Sequence, residues 1–449
     1  MATVLQRTGS GAYYGKLTMS FWIKRAVLGE QGLFGRREGS ATANLSTCHF
    51  SGVDQLLINF RDGGGSSKYY MITNRAFKDI NSWYHIHLML DGDNATQSDR
   101  SKLYINGVRE TSFALLNNPS STGYEVNLFV GGSYNTYIAR GLRSQIDTWL
   151  TYDGCMSNFN CSTGYVYEPT VFGEVDTTTG QWKIINDPTF TPGTDGFTIL
   201  KDGDTITDQS AGSNDFTVYS GTLTASKDCP SNTFAVLNPS IKHESYLTYT
   251  NANTTQNISN NDWNSSFSTI GMTTGKYYFE TYWSSGTYYQ PGIRSVQQAT
   301  GITNGTNDWM GNDSQGYSYD CYGGSLKNNG GDIAGQTGLT TTAVGNYVGV
   351  FVDMDNNKIY FSKNGVMVNT TGADITSGLT YMAGVSSWGA NPSVIQCNFG
   401  NGVFGTTTLT GTTYSGSDGN GIFKYDPNNI TLDGVSKSFK SLSTKGLNA

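Results

Sequence analysis

The chain has 449 residues, of which 14% are charged against roughly 25% in an ordinary soluble protein, with 56 Gly, 28 Tyr and 8 Trp and a formal net charge of −7. That length suits two or three domains, and the acidic balance excludes the dense positive field of a nucleic-acid groove, since Lys24-Arg25 and Arg36-Arg37 stand as isolated pairs. No apolar run of about 18 residues occurs, so no spanning helix is expected.

In chain order, the opening Met1-Ala2-Thr3-Val4-Leu5-Gln6-Arg7 has no apolar core run after a basic stretch. It does not read as a signal peptide, and folding in a cytoplasm is expected. Up to about residue 165, short runs alternate with period two: Leu17 to Ile23, Gln55 to Phe60, Trp83 to Leu90, Lys102 to Ile105 and Asn127 to Gly132. Such alternation predicts half-buried strands, and Asn106-Gly107 predicts a tight hairpin because both positions tolerate positive φ. Residues 166–240 carry Glu168-Pro169, Pro188, Pro192-Gly193 and Cys229-Pro230 as turn signals. They read as an ordered connector packed on the first domain, with a helical turn within Thr170 to Asp176 and one strand at Gly196 to Leu200. A second strand-rich region follows, with Lys276 to Trp283, Tyr347 to Asp353 and Lys358 to Ser362 as its clearest strands. Turns at Asp355-Asn356-Asn357 and Lys363-Asn364-Gly365 make it an antiparallel meander. A Gly/Thr/Ser-rich stretch and a tail with Phe423, Tyr425, Phe439 and Leu442 close the chain. The expected division is 1–165, 166–240, 241–405 and 406–449.

The chemistry-bearing residues are few. Six cysteines (Cys48, Cys155, Cys161, Cys229, Cys321, Cys397) lack the paired spacing of a zinc site, and unpaired thiols are expected. Of four histidines (His49, His85, His87, His243), His85 and His87 share a strand face but read as core residues. Asp353-x-Asp355-x-Asn357 has Lys358 where a calcium loop needs Gly and Asn364 where it needs Glu, so it reads as a hairpin turn. Asp91-Gly92-Asp93-Asn94 with Asp99 is a better oxygen cluster, yet acidic turns are common without metal. No Gly-x-Ser-x-Gly elbow, phosphate loop or Glu-x-Asp-x-x-Glu strand occurs. Sequons at Asn44, Asn94, Asn253, Asn257, Asn264 and Asn304 follow from composition. No cofactor, no catalytic residue and no metal ligand is expected.

Residues 17–150 resemble a laminin G or concanavalin A-like domain through Thr18-x-Ser20-x-Trp22, Trp83-Tyr84-His85, Leu103-Tyr104-Ile105-Asn106-Gly107 and Val130-Gly131-Gly132. Residues 271–400 resemble a SPRY domain through Thr274-Gly275-Lys276-Tyr277-Tyr278-Phe279-Glu280, Gly292-Ile293, Val348-Gly349-Val350, Ile359-Tyr360-Phe361-x-Lys363-Asn364-Gly365 and Asn398-Phe399-Gly400. The expected fold is therefore all-β, a concanavalin A-like jelly-roll sandwich plus a SPRY-type β-sandwich. The join, with Val171-Phe172-Gly173-Glu174-Val175-Asp176 and Asp228-Cys229-Pro230-Ser231-Asn232-Thr233-Phe234, resembles proteins of phages of aquatic bacteria. So does the ending around Phe423-Lys424-Tyr425-Asp426-Pro427.

That resemblance implies a place on the virion surface (tail fibre, head fibre or capsid decoration) and no defined activity; with the residue readings above, the expectation is a protein made in the bacterial cytoplasm and adhesive rather than catalytic. The partners it implies are other virion proteins and a host surface glycan or protein, with no nucleic acid and no membrane insertion. Phage fibres are often homotrimers, but no heptad or β-helix repeat here enforces that state. Tyr288, Tyr289, Trp309, Tyr317, Tyr319, Tyr322 and Trp388 fall where the SPRY resemblance places loops or strand ends, or in the same stretch. They are the ligand-binding candidates, because rigid rings among Gly, Asn and Ser give contact area at little entropy cost. The alternatives are a virion depolymerase, which would need a carboxylate pair across a cleft, and an intracellular SPRY adaptor that binds a host peptide.

Overall fold

The computed structural model describes residues 2–10, 12–37, 45–61, 66–80, 82–126, 128–129, 134–143, 148–201, 205–242, 246–301, 309–389 and 392–448. His243, Asn44, Asn304 and most of Asn127 to Gly132 lie outside them; Leu128 and Phe129 form a turn with both side chains buried. The chain is almost wholly β, with 49% strand and 4% helix, in sandwich sheets. It divides into two compact units, Met1–Leu223 and Thr224–Ala449.

Among the described residues the first unit has an eight-stranded and a six-stranded sheet, all pairs antiparallel. The larger runs in the order Phe113–Asn117, Ser67–Ala76, Gln55–Arg61, Leu45–Phe50, Gln31–Arg37, Asn135–Ile138, Val4–Thr8 and Thr217–Ser220. The smaller runs Phe197–Ile199, Gly154–Thr163, Lys16–Arg25, Tyr84–Asp91, Ser101–Ile105 and Val108–Arg109. Period-two alternation sends Leu17, Met19, Phe21 and Ile23 inward with Leu33, Phe60, Ile86, Leu88 and Phe159, all buried in one core. Asn106 (φ 50°) and Gly107 (φ 75°) make the expected hairpin turn.

The stretch 166–223 completes this sandwich. Thr217–Ser220 and Phe197–Ile199 each add an edge strand, one to each sheet. Where the sequence suggests a helical turn over Thr170 to Asp176, the structure has one 3-10 turn at Pro169–Val171 and then a hairpin, Gly173–Val175 with Trp182–Ile184. Proline starts the turn, and pairing then outweighs helical propensity. The hairpin packs Trp182 and Ile184 against Trp22 and Trp83. Residues 224–240 belong to the second unit, so the stretch 166–240 is divided between the two.

The second unit is also a sandwich. One sheet runs Leu237–Lys242, Asn264–Met272, Tyr381–Trp388, Tyr288–Ser295, Gly316–Asp320, Ser325–Asn328 and Gly331–Asp332. The other is built on Ser393–Asn398, Lys276–Ser285, Tyr347–Asp353 and Lys358–Lys363. Asn357, Asn364 and Gly365, all at positive φ, close the meander's turns. The segment past Gly405 is part of this unit. Phe423, Leu432 and Phe439 pack with Tyr278, Phe351 and Tyr360, and Lys440–Ser441 pairs parallel with Lys276–Ser285.

Candidate functional site

At one end of the second unit's seven-stranded sheet, five aromatic rings gather on the surface. Tyr288 opens its strand and pairs directly with Trp388, the last residue of the neighbouring strand. Directly opposed residues share a face, and these rings lie 5.0 Å apart. Tyr322, 59% exposed in the turn after Gly316–Asp320, packs its ring 4.8 Å from Tyr288. Trp263, just before Asn264–Met272, lies 6.2 Å from Tyr288 and 6.2 Å from Trp309. Among the described residues, the side chains of these five make no hydrogen bond, so two hydroxyls and three indole N–H groups remain open. The flanking Asp262 and Asp320 are occupied in local turns, accepting from Trp263 N (2.8 Å) and from Gly323 N (2.9 Å). The patch is apolar-faced, carries no charge on its rings and has polar tips.

Of the seven candidates, Tyr288, Trp309, Tyr322 and Trp388 are brought together here. Tyr289, Tyr317 and Tyr319 are not: they are at most 6% exposed and belong to the core. Alternation explains this. Tyr289 is one step out of phase with Tyr288 and donates its hydroxyl inward to Thr281 Oγ1, while Tyr317 and Tyr319 share the inward face of one strand. Tyr317 shares a hydrogen bond of 3.0 Å with Thr376 Oγ1, and Tyr319 donates to the Thr340 carbonyl. Trp263 is a member of the patch that sequence reasoning passed over. Its signal was the polar turn Asn260-Asn261-Asp262 directly ahead of it.

Several of the buried ionisable groups are engaged by neighbours, whereas His49 Nδ1 and the Tyr69 hydroxyl are buried without a hydrogen-bond partner among the described residues. Trp182 Nε1 donates to His85 Nδ1 (2.9 Å), which leaves His85 Nε2 to donate to Ser20 Oγ (2.7 Å). Burial first, then His87, hold His85 well below the ordinary histidine value. His87 Nε2 donates to the Tyr167 carbonyl (2.8 Å), and burial lowers its pKa to about 4. Glu280 is fully buried. It accepts from Lys424 N (2.9 Å), Tyr425 N (2.8 Å), Tyr278 Oη (3.0 Å) and Asn398 Nδ2 (3.1 Å), and burial outweighs those donors to push it up to about 7. Asp195 takes Arg7 Nη2 (2.5 Å), Ser10 N (2.9 Å), Ser10 Oγ (2.6 Å) and Tyr14 Oη (2.5 Å). Each of these carboxylates ties segments together.

Asp353 meets Lys437 at 3.0 Å and Asp355 meets Lys276 at 2.7 Å, so this turn is closed by ion pairs. In the loop 91–99, Asp99 pairs with Arg109 at 3.1 Å. Among the described residues no three His, Cys, Asp or Glu side chains converge as a metal site, and no helix is long and apolar enough to cross a membrane. Cys48, Cys161, Cys321 and Cys397 are buried, and no disulfide joins any of the six.

Two family models match the sequence: the concanavalin A-like lectin/glucanases superfamily over residues 7–158 and the SPRY domain over residues 276–402. The chain thus carries a segment similar to a concanavalin A-like domain followed by a segment similar to a SPRY domain, each within one β-sandwich unit. Residues 159–275 and the tail beyond 402 lie outside both matches. No curated protein matches the sequence. Among solved structures, the SPRY domain of human HERC1 is similar at 17% identity and TM-score 0.30, over 36% of this chain and 96% of that one. The PSpry domain of TRIM65 is similar at 11% identity and TM-score 0.29, over 36% and 88%. The heptameric SAP-like pentraxin of Limulus polyphemus is similar at 13% identity and TM-score 0.28, over 38% and 73%. At these identities and scores they are likenesses and no more.

Proposed function

We propose that the chain is a non-catalytic binding protein of a virion surface, and that the patch of Trp263, Tyr288, Trp309, Tyr322 and Trp388 is its ligand-binding face. The observation that carries the binding reading is the grouping of five partly exposed rings with their hydroxyl and indole N–H groups unengaged. Their faces suit the C–H face of a sugar or an apolar protein loop, and the polar tips suit its hydroxyl or amide groups. The neutrality of the rings favours an uncharged ligand.

The non-catalytic part is supported by the state of the buried carboxylates. Glu280 and Asp195 each accept four hydrogen bonds, which leaves neither placed to protonate a leaving group. The virion setting is supported by the sequence resemblance of the join and the ending, while the two family matches support the modules.

Two measurements test the reading. A screen of neutral glycans and host-surface proteins should give a ligand whose affinity falls at least tenfold in Trp388→Ala and in Tyr288→Ala, with thermal unfolding unchanged. Unaltered affinity in both variants removes the patch from the function. Mass spectrometry with immunogold labelling of purified particles should find the protein at a fixed tail or capsid site. Absence from particles, with abundance in infected cells, would overturn the virion reading and favour an intracellular adaptor.

A further inference from the structure

A second site is built on the outer face of the first unit, from other residues and with different chemistry. Gln6 lies directly opposite Tyr137 on one side and Thr217 on the other. Leu5 and Ile138, paired in the alternate phase, are buried at 2% and 0%, so the Gln6 row faces outward. The short hairpin Arg140–Leu142 with Trp149–Thr151 lies across this face. It comes so close that a Cβ on Gly32 would meet Gly141 N at 2.0 Å, which only glycine permits.

The crossing sets Arg140 among three rings. Its guanidinium carbon is 4.3 Å from the Trp149 centroid, 4.8 Å from Tyr137 and 5.1 Å from the half-exposed Tyr219. Ring faces hold the cation in place, yet among the described residues Arg140 has neither a carboxylate partner nor a hydrogen-bond acceptor. The Tyr137 and Tyr219 hydroxyls are likewise unengaged. An arginine fixed by π-faces with its N–H edge open is a preformed receptor for a planar oxyanion.

Beside it lies a cleft of about 580 Å³, lined by Gln6, Thr8, Asn135, Asn214 and Asp215 among others. Thr8 Oγ1 donates to Asn135 Oδ1 (2.6 Å) and Asn135 Nδ2 to Gln6 Oε1 (3.0 Å), which orients the Gln6 amide and leaves its N–H₂ without an acceptor among the described residues. Amide and hydroxyl walls match sugar hydroxyls. Asp215 makes the far part of the cleft acidic, so a carboxylate belongs at the Arg140 end.

We propose that this face binds an acidic glycan. One uronate residue packs beside the half-exposed Tyr219 with its carboxylate on the Arg140 N–H fork, and the next residue of the chain places its hydroxyls against Gln6 and Asn135. The site stands independently of the aromatic patch on the second unit.

The test uses the full chain and calorimetric titration with six-residue oligomers of galacturonate, mannuronate and glucuronate. The fully methyl-esterified galacturonate oligomer is the uncharged control. At least one uronate should bind, with a tenfold or greater preference over an uncharged ester of the same sugar. Affinity should fall tenfold or more in Arg140→Gln and in Arg140→Lys, the second of which keeps the charge and loses the fork. Trp388→Ala should leave it unchanged. Binding of no uronate, equal binding of the ester, or full affinity in Arg140→Gln overturns the proposal. Loss in Trp388→Ala alone assigns the uronate to the aromatic patch, sinking this site while leaving the patch reading intact.

Discussion

Trp182 lies between two glycines: a Cβ on Gly107 would meet its Cε3 at 2.3 Å, and one on Gly173 its Cε2 at 2.5 Å. The same indole donates to His85, so one side chain fixes the connector hairpin to the smaller sheet. Gly107→Ala combines a positive φ with overpacking and should destabilise the first unit by about 2–3 kcal/mol in denaturant unfolding. Gly180→Ala, also at positive φ (71°) but with open space around it, should cost only about 1 kcal/mol. Equal losses would mean that the Trp182 contact contributes nothing. At this scale the sequence was half legible. Asn106-Gly107 could be read as a turn because positive φ is a local property, whereas nothing local says that a tryptophan 75 residues on will cover it.

Strands were the most legible elements, since alternation is written in the sequence itself: Tyr347–Asp353 has the expected bounds, and Lys276–Ser285 extends its run by two residues. Which phase faces outward was not legible, because Tyr288 and Tyr289 are chemically identical and only the pairing with Trp388 and Ser387 separates them. The tail shows the same limit. Phe423 and Phe439 were visible as apolar residues, but their partners Tyr278 and Phe351 lie far back in the chain. Phe439 is fully buried, with its ring 5.1 Å from Phe351. Phe439→Ala should therefore cost on the order of 3–5 kcal/mol, read as a lowered urea midpoint of the second unit. A loss below about 1 kcal/mol would show that the tail is an appendage rather than part of the core.

For the whole molecule, the two units should respond to acid in opposite senses. In the first, burial lowers His49 and His87 to about 4 and holds His85 lower than its ordinary value. Their unfolded forms take up protons below about 6.5, so stability is full above that pH and is lost as pH falls towards 4. Each contributes on the order of 1.4 kcal/mol per pH unit. Asp153, raised above 3.8 by burial, offsets part of this at the acid end. In the second unit, Glu280 is raised from 4.5 to about 7, so its contribution falls as pH rises through that window and returns on acidification. Asp355 and Asp433 are lowered from 3.8 and titrate below the window. Hydrogen-exchange mass spectrometry from pH 7 to 4.5, corrected for intrinsic rates, should show protection lost in Tyr84–Asp91 and kept in Tyr347–Asp353. Parallel loss in both would contradict this account. The edge strand Thr217–Ser220 has a further consequence, for biosynthesis. Thr217 reaches Gln6 across 211 residues, so on a ribosome adding roughly 5–20 residues per second the strand Val4–Thr8 waits about 10–40 s for its outer neighbour. Until then the nascent chain carries an open strand edge, and a polypeptide released early keeps it. Closure of the first sandwich therefore separates chains that have passed Ser220 from those terminated before it, ahead of any assembly step.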